Sequence, residues 1–166
     1  MMEKCKIYDS IVDPGIQKDI EGDWCKDLFF LATCFGMDAL IAAAHLFCPE
    51  FIEIEGYVFL KGVLDSNVGH ENLNHYTICD LEEEFNHDKK KIEMYVNMFT
   101  VYGSFFIGDQ REFMGNEKVL KQFSDALIYF WSRRLKELFP EKNMRFVTGY
   151  DMFDELGYMI TFYEEE

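Results

Sequence analysis

The chain has 166 residues, of which 49% are hydrophobic and 17% aromatic, so it can bury a substantial core and low-hydrophobicity disorder is excluded. Its 31 acidic residues outnumber 16 basic ones and give a net charge of −15. Because no basic block is present to hold a phosphate backbone or an anionic membrane surface, direct nucleic-acid binding and membrane binding are disfavoured, whereas a basic protein partner is attracted.

The N-terminal part predicts an arm followed by a long helix. Residues 1–22 contain turn-forming residues and little periodicity, so we interpret them as the leading arm of a single domain that spans residues 1–166. A helix is predicted from Asp23 to about Phe47. Because this segment is apolar on most faces but interrupted by polar residues, we expect a buried central helix rather than a membrane span.

The middle of the chain predicts a hairpin, a polar connection and two helices. The alternation in "FIEIEGYVFLKG" predicts two strands joined by a turn at Glu55-Gly56. Residues 62–78 predict an irregular polar segment. Asp80 opens a capping-box pattern and is interpreted as the start of a short helical turn, while Asp88 is predicted to cap the next helix.

The last third predicts a long helix and a second hairpin. Asn116 is predicted to cap this helix, and Pro140 ends it. Its core stripe consists of Leu120, Phe123, Leu127, Phe130 or Trp131, Leu135 and Leu138. Strands are predicted at 144–148 and 158–163. The chain is therefore predicted to be an α+β domain, with a mostly antiparallel sheet of about four strands from two hairpins, covered by three main helices.

The cysteines are odd in number, widely spaced and form no CxxC pair. They are Cys5, Cys25, Cys34, Cys48 and Cys79. This usage is typical of a reducing compartment, where cysteine serves as a small apolar residue. We therefore expect a cytoplasmic protein whose cysteines are mostly packed into its interior.

One segment, "GHENLNHYTICDLEEEFNHDKKKIE", holds three of the chain's four histidines and raises the question of a metal site. His70 and His75 are five residues apart, so neither a helix nor a strand presents them on one face. His87 follows Glu83 by four residues, and on a helix this pair is able to supply two ligands. A metal-dependent hydrolase that uses His70, His75, His87 and Glu83 is therefore kept as an alternative, although a solvated connection with helix caps is favoured.

The sequence carries no other motif of catalysis. It contains no GxSxG elbow, no Walker loop and no GxGxxG fingerprint. Carboxylates are so abundant that the runs at 82–84 and 164–166 are interpreted as charged faces or tails. We therefore expect a protein that is not an enzyme and that binds no cofactor.

A surface for a basic partner is predicted in "GYDMFDELGYMITFYEEE", where aromatic and acidic residues alternate in a loop. Exposed aromatic anchors surrounded by carboxylates are suited to capture a basic protein, although loop aromatics also fold back on the core. The candidate contacts are Tyr150, Asp151, Met152, Phe153, Asp154 and Glu155, with Glu53 and Glu55 on the first hairpin. The edge of the final strand is a further candidate for pairing with a partner strand.

Three segments carry a resemblance to known proteins. "CPEFIEIEGYVFL", "FWSRRLKELFPEKNMRFVTGY" and "GYMITFYEEE" together resemble a loose group of small bacterial proteins, some of which are immunity-like proteins of toxin systems. The shared residues are mainly core and turn residues. The resemblance implies a cytosolic neutraliser without enzymatic activity, and it carries over no catalytic residue.

These observations favour an acidic intracellular binding or inhibitor protein of the immunity type. It would neutralise a basic partner, such as a toxin or a nuclease, by occluding the partner's active surface. Two alternatives remain open beside it. One is the metal-dependent hydrolase, and the other is an acidic nucleic-acid mimic, which would present carboxylates at phosphate-like spacing.

Overall fold

The computed structural model of the chain describes residues 36–68, 75–101 and 116–165. The predicted arm, residues 1–22, lies outside them. Within the described residues the elements follow in this order: α1 (Met37–Phe47), β1 (Phe51–Ile54), β2 (Tyr57–Leu60), α2 (Lys61–Val68), α3 (His75–Glu84), α4 (Lys89–Val96), β3 (Phe99–Thr100), α5 (Glu117–Leu138), β4 (Met144–Tyr150) and β5 (Tyr158–Glu164). No described helix combines the length and the apolar character needed to cross a bilayer.

Helix α1 differs from the prediction in its burial. Gly36 has extended backbone angles, φ −63° and ψ 157°, so α1 begins at Met37, and the predicted start at Asp23 lies outside the described residues. None of its residues is buried, and Met37 is 82% exposed. Within Met37–Phe47 only the last turn, with Leu46 and Phe47, packs against the core, so the predicted burial was wrong for this part of the helix, and residues 23–35 lie outside the described residues.

The first predicted hairpin is confirmed. Strands β1 and β2 pair antiparallel, with Ile54 opposite Tyr57. Glu55 and Gly56 form the turn with φ values of 51° and 87°, the left-handed pair that suits the twist of a two-residue hairpin. All four residues of β2 are buried, which places this strand inside the molecule.

The polar segment after this hairpin is more helical than its sequence predicts. Helix α2 begins directly after β2, and Leu64 in it is only 1% exposed. Ile78 in α3 is buried in the same cluster as Leu64, together with Phe59 of β2. Two buried side chains thus stabilise helices in a segment whose local pattern is weak. Because α3 already begins at His75, Asp80 lies inside it, so the predicted cap at Asp80 was wrong.

Two predicted helix caps are confirmed by direct hydrogen bonds. The Asp88 carboxylate accepts from the Lys91 amide at 3.1 Å and begins α4. The Asn116 side chain accepts from the Lys118 and Val119 amides at 3.1 and 3.4 Å and begins α5. A side-chain oxygen at this position satisfies amides that have no partner within the helix.

Helix α5 carries the main core of the protein. Its buried residues recur at helical spacing and are Leu120, Ser124, Leu127, Trp131 and Leu135. They pack against Val58 and Leu60 of β2 and against Ile160 and Phe162 of β5. The Trp131 indole also donates to the Leu46 carbonyl at 2.8 Å and thereby fixes the end of α1. The predicted stripe is confirmed except at its last position, where Leu138 is 39% exposed.

The second hairpin is confirmed, with strands slightly longer than predicted. Strand β5 lies between β4 and β3 and is antiparallel to both. The prediction that the final strand offers a free edge for a partner strand was wrong, because β4 covers one edge and Phe99 and Thr100 pair with part of the other.

The remaining edge of β5 faces β2, and side chains of α4 lie between the two strands. The fully buried Glu93 carboxylate accepts from the Val58 amide of β2 at 2.9 Å and from the Glu164 amide of β5 at 2.6 Å. Both carboxylate oxygens therefore bond to backbone donors of different sheets. We call this junction of Glu93 and its neighbour Asn97 with β2 and β5 the seam.

Asn97 completes the seam one helical turn further on. Its side-chain oxygen accepts from the Leu60 amide at 2.7 Å, and its side-chain nitrogen donates to the carbonyls of Val58 and Phe162 at 2.9 and 3.2 Å. The strands therefore form a two-stranded sheet and a three-stranded sheet joined through side chains, instead of the single sheet that was predicted. The α+β class and the antiparallel pairing are confirmed.

Candidate functional site

The predicted partner surface lies in the connection between β4 and β5, which we call the acidic loop (residues 151–157). The Asp151 amide donates to the Gly157 carbonyl, and the Gly157 amide donates to the Asp151 carboxylate, both at 3.1 Å. The Glu155 amide donates to the Met152 carbonyl at 3.1 Å. These bonds close the base of the loop and form a turn within it, so the loop has a defined shape.

Three aromatic rings meet at one side of the acidic loop, and we call Phe85, Tyr95 and Phe153 the ring cluster. Phe153 belongs to the loop, Tyr95 to α4, and Phe85 follows α3. The centroid of the Phe153 ring lies 6.4 Å from that of Phe85 and 5.8 Å from that of Tyr95. The centroids of Phe85 and Tyr95 are 5.1 Å apart. Such edge-to-face and tilted contacts are favourable aromatic geometries. Phe153 is thus turned toward the protein, and it is not a freely exposed anchor.

The acids of the loop are exposed and lack a cationic neighbour. Asp151, Asp154 and Glu155 are all exposed, and none of them forms an ion pair with a base in the part of the chain that the structure describes. Tyr150 at the loop's entrance is 51% exposed and packs on Tyr158, with ring centroids 5.0 Å apart. The loop therefore presents three uncompensated negative charges beside partly exposed aromatic surface.

Some acids elsewhere on the described surface have a basic partner, whereas others, such as Glu83, Glu84 and Glu141, are exposed without an ion pair like those of the loop. An example is the pair of Glu165 with Arg145 at 2.6 Å. Further pairs are Glu50–Lys61, Asp88–Lys91, Asp125–Lys121 and Glu137–Arg134. What distinguishes the acidic loop is that its carboxylates, which have no basic partner within the described residues, lie beside the exposed side chains of Tyr150 and Leu156.

The other two predicted contact residues, Glu53 and Glu55, lie on the first hairpin and not beside the loop. The Glu53 carboxylate is 3.3 Å from the Lys142 ammonium group, which lies just before the start of β4. The acidic loop follows the other end of β4, and a strand of seven residues is about 20 Å long. Glu55 is exposed in the hairpin turn. The structure therefore places the two predicted sets at opposite ends of β4.

Lys142 also belongs to a partly buried cluster of charged side chains next to the seam. The Glu164 carboxylate accepts from Lys89 at 2.6 Å and from Lys142 at 2.8 Å. Burial alone would raise the pKa of Glu164, but hydrogen bonds from the two lysines outweigh it and hold the pKa below its usual value. Lys142 additionally donates to the Gly56 carbonyl at 3.1 Å. The cluster joins the hairpin turn to β5, and its charges satisfy each other.

The predicted metal ligands do not form a site in the described residues. His70 lies outside them, and His75 begins α3. Glu83 is exposed, and the Nδ1 atom of His87 is 3.6 Å from the Glu82 carboxylate. Within 36–68, 75–101 and 116–165, no three histidine, cysteine or acidic side chains converge to hold a metal ion. The hydrolase alternative stays a prediction that depends on His70.

The cysteines that the structure describes differ from the expectation. Cys48 and Cys79 are both exposed, so these two do not serve as packed apolar residues. Cys48 follows the last residue of α1, and Cys79 lies on the outer side of α3, next to the buried Ile78. The expectation fails for Cys48 although the neighbouring Leu46 and Phe47 pack against the core.

Neither the seam nor the contacts of Phe85 and Tyr95 with the loop were predicted from the sequence. Glu93 and Asn97 are four residues apart within the apolar run "IEMYVNM", so they share the helix face that carries the core residues Ile92 and Val96. A charged residue on a core face is a signal of a buried polar contact. Phe85 and Tyr95 have no comparable signal, because their contact with Phe153 joins distant parts of the chain.

Comparison of the chain with known proteins gives no match: no family model, no curated protein and no solved structure matches it. The resemblance to immunity-like proteins therefore stays a prediction. What the chain does must be inferred from the charges and contacts of its own surface.

Proposed function

We propose that the chain is an acidic cytoplasmic binding protein of the immunity type, which neutralises a basic protein partner by occluding the partner's active surface. The partner is a toxin or a nuclease whose basic active surface normally holds an anionic substrate. The observation that carries the proposal is the acidic loop, with three exposed carboxylates that have no cationic partner in the described residues. Together with the net charge of −15, these groups attract and orient a basic surface.

The shape of the loop adds to its charge. An ordered loop loses little conformational freedom on binding, so more of the contact energy remains as affinity. Tyr150 and Leu156, which are 51% and 81% exposed, supply apolar contact area beside the carboxylates. Interfaces commonly combine such a buried apolar centre with a polar rim. The loop thus offers both components within a few residues.

Glu53 and Glu55 fit the same proposal as a second, more distant contact. A standard interface covers about 800 Å² on each partner, which corresponds to a patch about 30 Å across. A patch of this width is wide enough to include both the acidic loop and the hairpin turn, which lie about 20 Å apart along β4. Substitution of each set separately measures its share of the binding.

The first experiment captures the partner and tests the loop in one step. Purified protein is used to capture partners from a lysate of the encoding organism at low and moderate salt. The double variant Asp154→Asn with Glu155→Gln is compared with a charge-matched control, Asp38→Asn with Asp80→Asn, whose two exposed acids on α1 and α3 form no ion pair within the described residues and belong to neither proposed contact. Two exposed charge pairs at about 0.3–1 kcal/mol each predict a roughly 3- to 30-fold loss of affinity for the loop variant only.

The captured protein is then purified, and its activity is measured with and without this chain. The proposal predicts a basic protein that is retained by the wild type and the control, is released by the loop variant, and loses activity when bound. Capture of no basic protein, equal capture by both double variants, or a bound partner that stays fully active would each contradict it.

A further inference from the structure

We propose that Phe85 and Tyr95 are positioning residues, which hold the acidic loop in its partner-binding conformation without contacting the partner. This inference rests on the proposed function, because it assigns a role to residues beside the surface proposed to bind. The sequence marked neither residue, and both lie outside the loop. Their link to it is Phe153, whose ring packs on both.

The backbone of the loop needs such support. Asp151, Phe153 and Asp154 all have left-handed backbone angles, with φ values of 53°, 52° and 63°. Residues with a side chain rarely adopt this region, and each such residue raises the free energy of the loop. The aspartates tolerate it better than phenylalanine does. The ring contacts of Phe153 offset part of this cost, in addition to the hydrogen bonds of the loop.

The ring cluster supplies that contact from a fixed base. Phe85 packs against the buried cluster that contains Ile92 and Val96, and Tyr95 lies on the helix that provides these two residues. The positions of both rings are thus set by the core. Phe153 packs against them and ties the middle of the loop to the core, while the bonds between Asp151 and Gly157 close only its base.

The consequence for binding follows from preorganisation. If the ring cluster is broken, the loop keeps its three carboxylates but samples further conformations. The partner must then order the loop on binding, so affinity falls although no contact with the partner is removed. Because the number of charges is unchanged, the salt dependence of binding stays that of the wild type.

The chain offers a matched set of variants for the test. Tyr95→Ala removes one ring from the cluster, and Tyr95→Phe keeps the ring and removes only the hydroxyl group. Tyr129→Ala is the control, because Tyr129 has almost the same exposure (37% against 38%) and also packs on a neighbouring ring, that of Phe130 at 5.2 Å. The Tyr129 ring contacts Phe130 and Arg133, which both lie on α5 and are far in sequence from the acidic loop.

Two measurements are made on each variant. The first is amide hydrogen exchange at Glu155, whose amide is bonded to the Met152 carbonyl within the loop, measured by NMR without any partner. The interaction free energy of one aromatic pair predicts roughly 2- to 12-fold faster exchange in Tyr95→Ala. Tyr95→Phe and Tyr129→Ala are predicted to exchange at wild-type rates. The second is affinity for the captured basic partner at several salt concentrations, which is expected to fall by a similar factor in Tyr95→Ala with an unchanged salt dependence.

The outcomes separate this inference from the proposed function. Unchanged exchange at Glu155 in Tyr95→Ala would overturn the positioning role, and so would lower affinity without faster exchange, which indicates direct contact between Tyr95 and the partner. Faster exchange with unchanged affinity overturns it as well, while the proposed function stands. If no basic partner is captured, the proposed function fails and with it the role in binding, whereas exchange still decides whether the ring cluster orders the loop.

Discussion

The seam and the acidic loop both depend on carboxylates, but the surroundings of these groups are opposite. At the seam, the buried Glu93 carboxylate bonds to two backbone amides, and Asn97 beside it makes three hydrogen bonds. In the loop, Asp154 and Glu155 are exposed and form no ion pair within the described residues. Glu93 and Asn97 therefore stabilise the fold, whereas Asp154 and Glu155 are available to a partner.

The seam also shows why each of its residues has its chemical type. Glu93 faces two donors, so it must be an acceptor at both oxygens, which a carboxylate provides and an amide does not. Asn97 faces one donor and two acceptors, so it must carry both an oxygen and an NH₂ group. Acid and amide are not interchangeable at either position, whereas in the exposed loop the same exchange changes only charge.

The largest effect is predicted for Asn97→Asp. The introduced carboxylate still accepts from the Leu60 amide, but its second oxygen faces the carbonyl oxygens of Val58 and Phe162. A buried charge without a partner predicts a loss of about 3–5 kcal/mol in the free energy of unfolding, measured by urea denaturation at pH 7. Part of this loss should be recovered at acidic pH, where the introduced carboxylate takes up a proton and becomes a donor.

Asn116→Asp is the matched control, since it makes the same chemical change at a position where only an acceptor is used. The side-chain oxygen of Asn116 caps α5, and aspartate serves equally well as a cap. We expect a change of less than about 0.5 kcal/mol in the control. Equal stability losses in both variants would show that the seam does not distinguish acid from amide.

A smaller loss is predicted for Glu93→Gln. The amide oxygen replaces one acceptor, but the NH₂ group then faces either the Val58 or the Glu164 amide, and one buried donor is left without a partner. This predicts a loss of about 1–3 kcal/mol at pH 7. Glu84→Gln, at an exposed position on α3, is the control and should be within about 0.5 kcal/mol of the wild type.

The pH dependence of the free energy of unfolding, compared between the wild type and Glu93→Gln, is a second measurement on Glu93. Burial raises the pKa of Glu93 above 4.5, although the amides of Glu164 and Val58 act against it. The folded state therefore holds the Glu93 proton more tightly than the unfolded state. This contribution to stability is present in full below pH 4.5 and is lost as pH rises through the folded-state pKa.

Glutamine does not titrate. The free energy of unfolding of the wild type is therefore expected to fall relative to that of Glu93→Gln as the pH rises above 4.5. Urea denaturation of both proteins between pH 5 and pH 8 measures the difference. A difference that rises with pH across this range would show that the two backbone amides outweigh burial at Glu93.

The same comparison explains what the sequence was able to predict. The first hairpin turn, the caps at Asp88 and Asn116 and the stripe of α5 depend on residues a few positions apart, and all of these were predicted. The seam depends on bonds between residues 35 to 71 positions apart in sequence. No local pattern contains these separations, so the division into two sheets was not predicted.

The candidate site was predicted in part for the same reason. The acidic loop is one continuous stretch, so its charges and aromatic residues are visible in the sequence. Its contact with Phe85 and Tyr95 joins three separate elements, and the distance between the loop and Glu53 depends on the length of β4. Helix α2 and the first part of α3 were missed because buried residues such as Leu64 and Ile78 stabilise them through distant contacts.

The smallest effect on stability, and the sharpest contrast with the seam, is predicted for Asp154→Asn with Glu155→Gln. Both side chains are exposed and lack an ion pair in the described residues, so their exchange for amides removes no bond. We expect the free energy of unfolding to stay within about 0.5 kcal/mol of the wild type, because surface substitutions away from specific contacts rarely exceed this value.

The same two substitutions are expected to weaken binding of the basic partner, whereas Glu93→Gln is expected to weaken folding and to leave the affinity of the remaining folded protein unchanged. Denaturation and affinity measured on both variants therefore give opposite patterns. A loop variant that unfolds easily would mean that its carboxylates stabilise the fold, and the reason for assigning them to a partner would be lost. Since a net charge of −15 already opposes compaction, removal of two acids is, if anything, expected to raise stability slightly.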